Sequence, residues 1–165
     1  MGRPSARRTT SAGLLPYARG AQGLQVFAAH LGGPFWSRKQ AGAWSIVKGE
    51  YDPAVESPAD AARREFAEET GIECPAGELM DLGEVRQRGG KVVRAFGIEA
   101  PTTLSFVRSN TFELEWPPHS GRIQSFPEID AARWMAMDEA RRIMVTAQAA
   151  FLDRLAERLA GLVGG

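Results

Sequence analysis

The segment Arg64–Ile72, REFAEETGI, holds three glutamates, Glu65, Glu68 and Glu69, ahead of a glycine, Gly71. At 100° per residue these acids fall within an arc of roughly 100° on a helix. Like charges three and four residues apart repel by about 0.2–0.5 kcal/mol per pair. In the last turn, Glu68 and Glu69 also face the partial negative end of the helix dipole, at a further cost of about 0.3–1 kcal/mol each. Arg64 lies four residues before Glu68 and neutralises only part of the cluster. A hard divalent cation such as Mg²⁺ or Mn²⁺, which takes carboxylate oxygens and keeps positions open for water, would complete the balance. Such an ion bridges the oxygens of a di- or polyphosphate, lowers the pKa of a bound water and neutralises charge in the transition state. On the helix alone, a solvated acidic face explains the cluster equally well.

The elements that must hold these side chains also show in the sequence. Ser57-Pro58-Ala59-Asp60 is a helix start: Ser57 caps, Pro58 suits the first helical position, and Asp60 stands at capping-box spacing. Ala62, Phe66 and Thr70 recur every four residues as a buried stripe, and Gly71 is placed to stop the helix in the left-handed conformation. Upstream, Ser11–Tyr17 and Leu24–Leu31 read as paired strands and Gly32–Ala43 as a loop carrying Phe35 and Trp36. Trp44–Val47 reads as a short strand ended by Lys48-Gly49. Downstream, Glu78–Gln87 and Lys91–Ile98 flank Arg88-Gly89-Gly90 as a hairpin. Phe112–Trp116 is a strand closed by Pro117-Pro118, Ala132–Met137 is another, and helix follows from Asp138. Phe151, Leu152, Leu155, Leu159 and Leu162 form the apolar stripe of a C-terminal helix that covers the sheet. Strands mixed with helices, hairpin neighbours among them, predict an α/β or α+β sandwich of helix on sheet.

A chain of 165 residues suits a single domain, expected at 11–165 behind a loose basic tail at 1–10. Twenty basic and twenty acidic residues cancel, so no global field points to a nucleic-acid or membrane partner. Cys74 is the only cysteine, which rules out an internal disulfide and makes a reducing, cytoplasmic setting the expectation. No apolar run approaches the roughly 18 residues of a membrane span. A monomer or homodimer without a stable nucleic-acid partner is expected.

Running from Gly49, the pattern is six residues, Glu56, seven residues, then Arg64-Glu65-Phe66-Ala67-Glu68-Glu69-Thr70-Gly71-Ile72. This closely resembles the signature box of the Nudix hydrolases, G-x5-E-x7-R-E-U-x-E-E-x-G-U, with U bulky and apolar. The loop between Gly49 and Glu56 is one residue longer than in that box, an insertion that a surface loop absorbs cheaply. Trp44–Glu50 is similar to the strand and turn of the diadenosine-polyphosphate branch, with Val47 in place of the usual proline. Ser109–Arg122, SNTFELEWPPHSGR, resembles a bacterial branch of nucleoside-triphosphate pyrophosphohydrolases. The resemblance implies an α/β/α sandwich with a central mixed sheet and a divalent metal, Mg²⁺ or Mn²⁺. It also implies hydrolysis of a pyrophosphate linkage in a nucleoside diphosphate joined to another moiety, a small-molecule nucleotide being the substrate.

By that resemblance Glu65, Glu68 and Glu69 are metal ligands, with the backbone carbonyl of Lys48 or Gly49 as a further one. Arg64 orients a glutamate by salt bridge, Glu56 being its expected partner, and Gly49, Glu56 and Gly71 frame the box. Glu128, in Phe126–Asp130 ahead of Trp134, takes the place of a later-loop glutamate that serves as ligand or as general base. Glu113 and Glu115 are rivals, though strand alternation points them to solvent. Phosphate needs cations not spent on carboxylates: Lys48 beside the box, then Arg38, Lys39, Lys91 and Arg94. The nucleobase has Trp36, Trp44, Tyr51 and Trp116 as candidate stacking faces. His30 and His119 lack a second ligand at metal spacing and read as structural. Nucleoside or dinucleoside polyphosphates are the first substrate expectation; ADP-ribose, nucleotide sugars and a non-catalytic nucleotide-binding module are the alternatives.

Overall fold

The computed structural model describes residues 9–163. The expected tail at 1–10 lies outside them except for Thr9 and Thr10, and Thr10 already opens the first strand. In chain order the elements are β1 (Thr10–Gly20), β2 (Gly23–Leu31), β3 (Trp44–Ser45), β4 (Val47–Glu50), α1 (Pro58–Thr70), β5 (Met80–Arg86) and β6 (Val92–Glu99). They continue with β7 (Thr111–Glu115), β8 (Ile123–Pro127), β9 (Ile129–Ala136), α2 (Met137–Ile143) and α3 (Ala149–Val163).

Seven strands make one mixed sheet, ordered β3-β2-β1-β6-β5, with β4 also paired to β1 and β9 to β2. β1 and β6 run parallel, and the other pairs run antiparallel. Alternation along the strands splits the apolar residues between two faces. Ala12, Leu14, Phe27 and Ala29 point to the α1 side and pack with Ala62 and Phe66. Leu15, Tyr17, Val26 and Ala28 point to the other side and pack with Phe151, Leu152, Leu155 and Leu159 of α3. The chain therefore folds as the expected α+β sandwich, helix–sheet–helix. Leu162 is an exception to the predicted stripe: it is 69% exposed in the last turn of α3.

The short strand expected at Trp44–Val47 is in fact two. β3 pairs with β2 through Ala29↔Ser45, whereas β4 pairs with β1 through Leu14↔Val47 and runs on through Lys48 and Gly49. Ile46 lies at the changeover, and its N–H donates to Oε1 of Gln148 at 2.9 Å instead of to a neighbouring strand. Gln148 is fully buried. Its amide Nε2 donates to Ser45 Oγ at 3.0 Å and to Gln87 Oε1 at 2.9 Å. This side chain licenses the switch that carries Lys48 and Gly49 to the centre of the sheet, beneath α1. Gln148→Leu keeps the volume but strands the Ile46 N–H without water, so it is expected to cost about 1–3 kcal/mol of stability in urea unfolding. A change under about 0.5 kcal/mol would show that another group takes over the N–H.

Outside the main sheet, β7 and β8 form a separate hairpin. β8 forms in a stretch to which the sequence reading assigns no element, and β9 starts earlier than the predicted Ala132.

Candidate active site

α1 begins as its sequence dictates. Ser57 Oγ accepts the Asp60 N–H at 3.1 Å, and Pro58 occupies the first turn. At the other end Gly71 adopts φ 70°, a left-handed conformation that glycine takes without a Cβ penalty. The preceding loop is ordered by Asp52, whose Oδ1 accepts from Ala54 at 2.9 Å and whose carbonyl accepts from Val55 and Glu56 at 2.9 and 3.1 Å. That turn absorbs the additional residue and delivers Glu56 to Arg64.

The three glutamates of α1 do not share one environment. Glu65 and Glu69, four residues apart, are each only 7% exposed, while Glu68 stands at the rim. Arg64 links the cluster: Nη2 donates to Glu56 Oε1 at 2.6 Å, and Nη1 to Glu65 Oε1 at 2.8 Å and Glu68 Oε2 at 3.1 Å. Hydrogen bonding from Arg64 holds the Glu56 carboxyl below its usual range. Burial pushes Glu65 up against the opposing effect of Arg64. Among the described residues, Glu69 has no such partner. Burial, then the charges of Glu128, Glu65 and Glu68, push its carboxyl up to about 7. Its Oε2 is buried without a hydrogen-bond partner among the described residues.

Glu65, Glu68 and Glu69 line a cleft of about 560 Å³ with Lys48, Gly49, Glu50, Lys91, Asn110, Thr111 and Glu128. Gly49 is required by close approach, since a Cβ there would lie 2.0 Å from Glu65 Oε2. Burial, then the charge of Lys91, holds the Lys48 ammonium below the usual lysine range, with Glu50, Glu128 and Glu65 pulling the other way. Glu128 is held above the usual carboxylate range by desolvation, with Lys48 and Lys91 opposing.

The structure thus brings Glu65, Glu68, Glu69, Glu128, Lys48 and Gly49 to one cleft, with Arg64 and Glu56 behind them. Of the other phosphate candidates Lys91 also lines the cleft, whereas the aromatic candidates and Arg94 lie elsewhere. Trp44 is 4% exposed in the core, edge-on to His30 at 5.2 Å and capped by Arg133 at 4.8 Å, so its faces are not free for a base. Trp36 packs against the α3-side core, with Lys39 over its ring. Arg94 is spent on Asp81, with Glu84 at 3.9 Å. Tyr51 lines a neighbouring cleft of about 670 Å³ that shares Glu50 with the first. Trp116 meets Phe35 edge-on at 5.1 Å near the hairpin tip. Glu113 and Glu115 are exposed on the hairpin, as alternation predicts. Asn110 and Thr111 are cleft residues that the sequence marks only as part of the Ser109–Arg122 stretch, without a role of their own.

In donor type the cleft suits a hard cation: several carboxylates, strand backbone at Lys48 and Gly49, and in Glu69 Oε2 a buried oxygen left without a partner. Among the described residues, no three acidic, histidine or cysteine side chains converge closely enough to ligate one ion as they stand. Arg64 holds one oxygen of Glu65 and one of Glu68 to itself.

A NUDIX domain model matches residues 8–155. The chain belongs to the Nudix family. As a Nudix protein it is a phosphoanhydride hydrolase, and Gly49, Glu65, Glu68 and Glu69 of the box line the cleft. No curated protein sequence matches it. A binary complex of Caenorhabditis elegans Ap4A hydrolase superposes with a TM-score of 0.61 at 21% identity, over 93% of this chain and 98% of that one. The NUDIX domain of Shewanella oneidensis NrtR, complexed with ADP ribose, gives 0.60 at 13% identity, over 96% and 94%. The Nudix hydrolase RenU of M. smegmatis gives 0.58 at 24% identity, over 94% and 88%. These likenesses concern the fold. Among the described residues, no helix is long and apolar enough to cross a membrane.

Proposed function

We propose that this Nudix protein is a divalent-metal-dependent pyrophosphohydrolase of nucleoside or dinucleoside polyphosphates. The observation that carries the reading is Glu69 Oε2, buried and unpartnered among the described residues, in a cleft that also holds Glu65, Glu68, Glu128 and Lys48. Burying a carboxylate with no compensating partner is costly, so the arrangement makes sense around a cation that arrives with the substrate. Glu65, Glu68 and Glu69 would hold Mg²⁺ or Mn²⁺, with backbone oxygen from Lys48 or Gly49. When bound, such an ion supplies Lewis-acid polarisation of phosphoryl oxygens and charge neutralisation.

The chain's own residues do the rest. Arg64 fixes the rotamers of Glu65 and Glu68 while Glu56 holds its other edge. Lys48 presents a partly desolvated positive charge to a phosphate oxygen, where it acts more strongly than in bulk water. Glu128 takes the proton of the attacking water as its oxygen bonds to phosphorus and the bridging P–O bond breaks, leaving the electron pair on the departing phosphate. Tyr51 is the best-placed stacking face for the base, in the cleft that adjoins through Glu50. The likeness to Ap4A hydrolase supports dinucleoside polyphosphates as the first class; ADP-ribose stands second, through the NrtR domain.

Chromatography of products from diadenosine polyphosphates, nucleoside triphosphates, ADP-ribose and nucleotide sugars tests this, with Mg²⁺, Mn²⁺ or chelator. Polyphosphate cleavage that stops with chelator is expected. Turnover on ADP-ribose alone would replace the substrate class, and turnover unaffected by chelator would remove the metal.

A further inference from the structure

Glu128 is the single residue between β8, which ends at Pro127, and β9, which begins at Ile129. A one-residue link at an exposed rim is a poor place to aim a side chain unless its backbone is held. Here it is held from two directions. The Gly32 N–H donates to the Glu128 carbonyl at 2.9 Å, and the Glu128 N–H donates to the Asn110 carbonyl at 2.8 Å. One residue on, Ser109 Oγ lies 2.9 Å from the Ile129 carbonyl and accepts the Ile129 N–H at 3.2 Å. The β2–β9 register slips between His30 and Leu31, just where the chain turns toward Gly32. The Gly32 approach is one no other residue can make: a Cβ there would lie 1.9 Å from the Pro127 carbonyl oxygen and 3.2 Å from the Glu128 carbonyl carbon.

We propose that Gly32 and Ser109 are positioning residues that aim the Glu128 carboxylate into the glutamate cleft. The inference rests on Glu128 being the base of the reaction proposed above. Neither residue lies in the box, and neither carries a group that reacts. Gly32 acts by allowing the end of β2 to touch the link, and Ser109 by tying the first residue of β9 to the segment that leads into β7. Together they hold the link by its backbone, so the direction of Glu128 does not depend on its exposed side chain finding a partner. A base displaced by about 1 Å loses on the order of a hundredfold in rate.

The test is a double-mutant cycle on the full chain, with the best polyphosphate of the panel as substrate. Gly32→Ala is expected to lower kcat about a hundredfold and Ser109→Ala about tenfold, with KM within about twofold of wild type. Ser109→Thr, which keeps the hydroxyl, is expected to restore most of the loss. In the Glu128→Gln background each of the two changes is expected to lower the residual turnover by less than about twofold, because the group they act through is gone. Losses that multiply in full in that background would mean a general structural role and overturn the inference. So would a raised KM with kcat unchanged, or a Glu128→Gln variant as active as wild type. No wild-type turnover on any substrate overturns the hydrolase reading itself and takes the inference with it. If Gly32→Ala does not fold, the serine pair and its cycle decide alone.

Discussion

Glu69→Gln is expected to lower polyphosphate hydrolysis at least about a hundredfold while making the metal-free protein more stable above neutral pH. The two effects have one origin. Glu69 is 7% exposed, its Oε2 has no hydrogen-bond partner among the described residues, and the charges of Glu128, Glu65 and Glu68 bear on it. Its carboxyl is therefore pushed up to about 7 from an ordinary value of 4.5. For a carboxyl raised in the folded state, the fold favours the neutral form. Relative to a fixed neutral group, folding is unpenalised below about pH 4.5 and loses stability as pH rises through about 7. Glutamine is neutral throughout. The variant should match wild type near pH 4 and exceed it at pH 8 by about 1–3 kcal/mol, a range that allows for relaxation around the ionised group.

Added Mg²⁺ or Mn²⁺ should reverse the order, since an ion that binds only the native wild type raises its unfolding temperature by mass action and leaves the variant where it was. Thermal unfolding at pH 4, 6 and 8, with and without metal, reads all of this beside the turnover. A variant less stable than wild type at pH 8 without metal would mean that the Glu69 carboxylate has a partner in solution. The claim that a cation completes it would then fall.

The residues that were easiest to place from the sequence are those whose signals are local. Ser57, Pro58 and Gly71 state where α1 begins and ends through capping chemistry confined to a few neighbours, and Ala62, Phe66 and Thr70 state which face it buries. The arc of Glu65, Glu68 and Glu69 was equally visible. What it did not reveal is that Glu65 and Glu69 go under while Glu68 stays out, because that depends on where β4 lies. The position of β4 was itself hidden: the break at Ile46 is made by Gln148, 102 residues away, and no local propensity marks it. Trp44 and Tyr51 look alike as stacking candidates, yet the first is core and the second lines a cleft. β8 was missed because Ile123-Gln124-Ser125-Phe126 has no alternation strong enough to read without its partner. The Gly32 approach to Pro127 has no sequence signature at all, since a glycine in a loop is ordinary until the opposing chain is seen.

Gly49→Ala should do the reverse of a typical buried overpacking, costing little stability and most of the activity. A Cβ at position 49 would lie 2.0 Å from Glu65 Oε2, 2.1 Å from its Cδ and 2.5 Å from Oε1, all within van der Waals exclusion. The obstacle is the end of a side chain and not backbone, so β4 and its pairing with Ala12 of β1 need not move. Glu65 instead swings off the strand. Its link to Arg64 Nη1 at 2.8 Å follows or breaks, and Arg64 keeps its bond to Glu56 Oε1 at 2.6 Å as an anchor. The expected cost in unfolding free energy is about 1 kcal/mol, at the low end for an inserted methyl group, because Glu65 can turn toward the open cleft. The chemistry has no such tolerance. Displacing the proposed ligand carboxylate by more than 1 Å is expected to lower turnover about a hundredfold and to weaken Mn²⁺ binding by a similar factor. Denaturant unfolding, a Mn²⁺ titration and turnover of the same preparation settle it. Turnover within about threefold of wild type, from a protein shown to be folded, would mean that the Glu65 carboxylate is not part of the working site and that Gly49 is there for the strand alone.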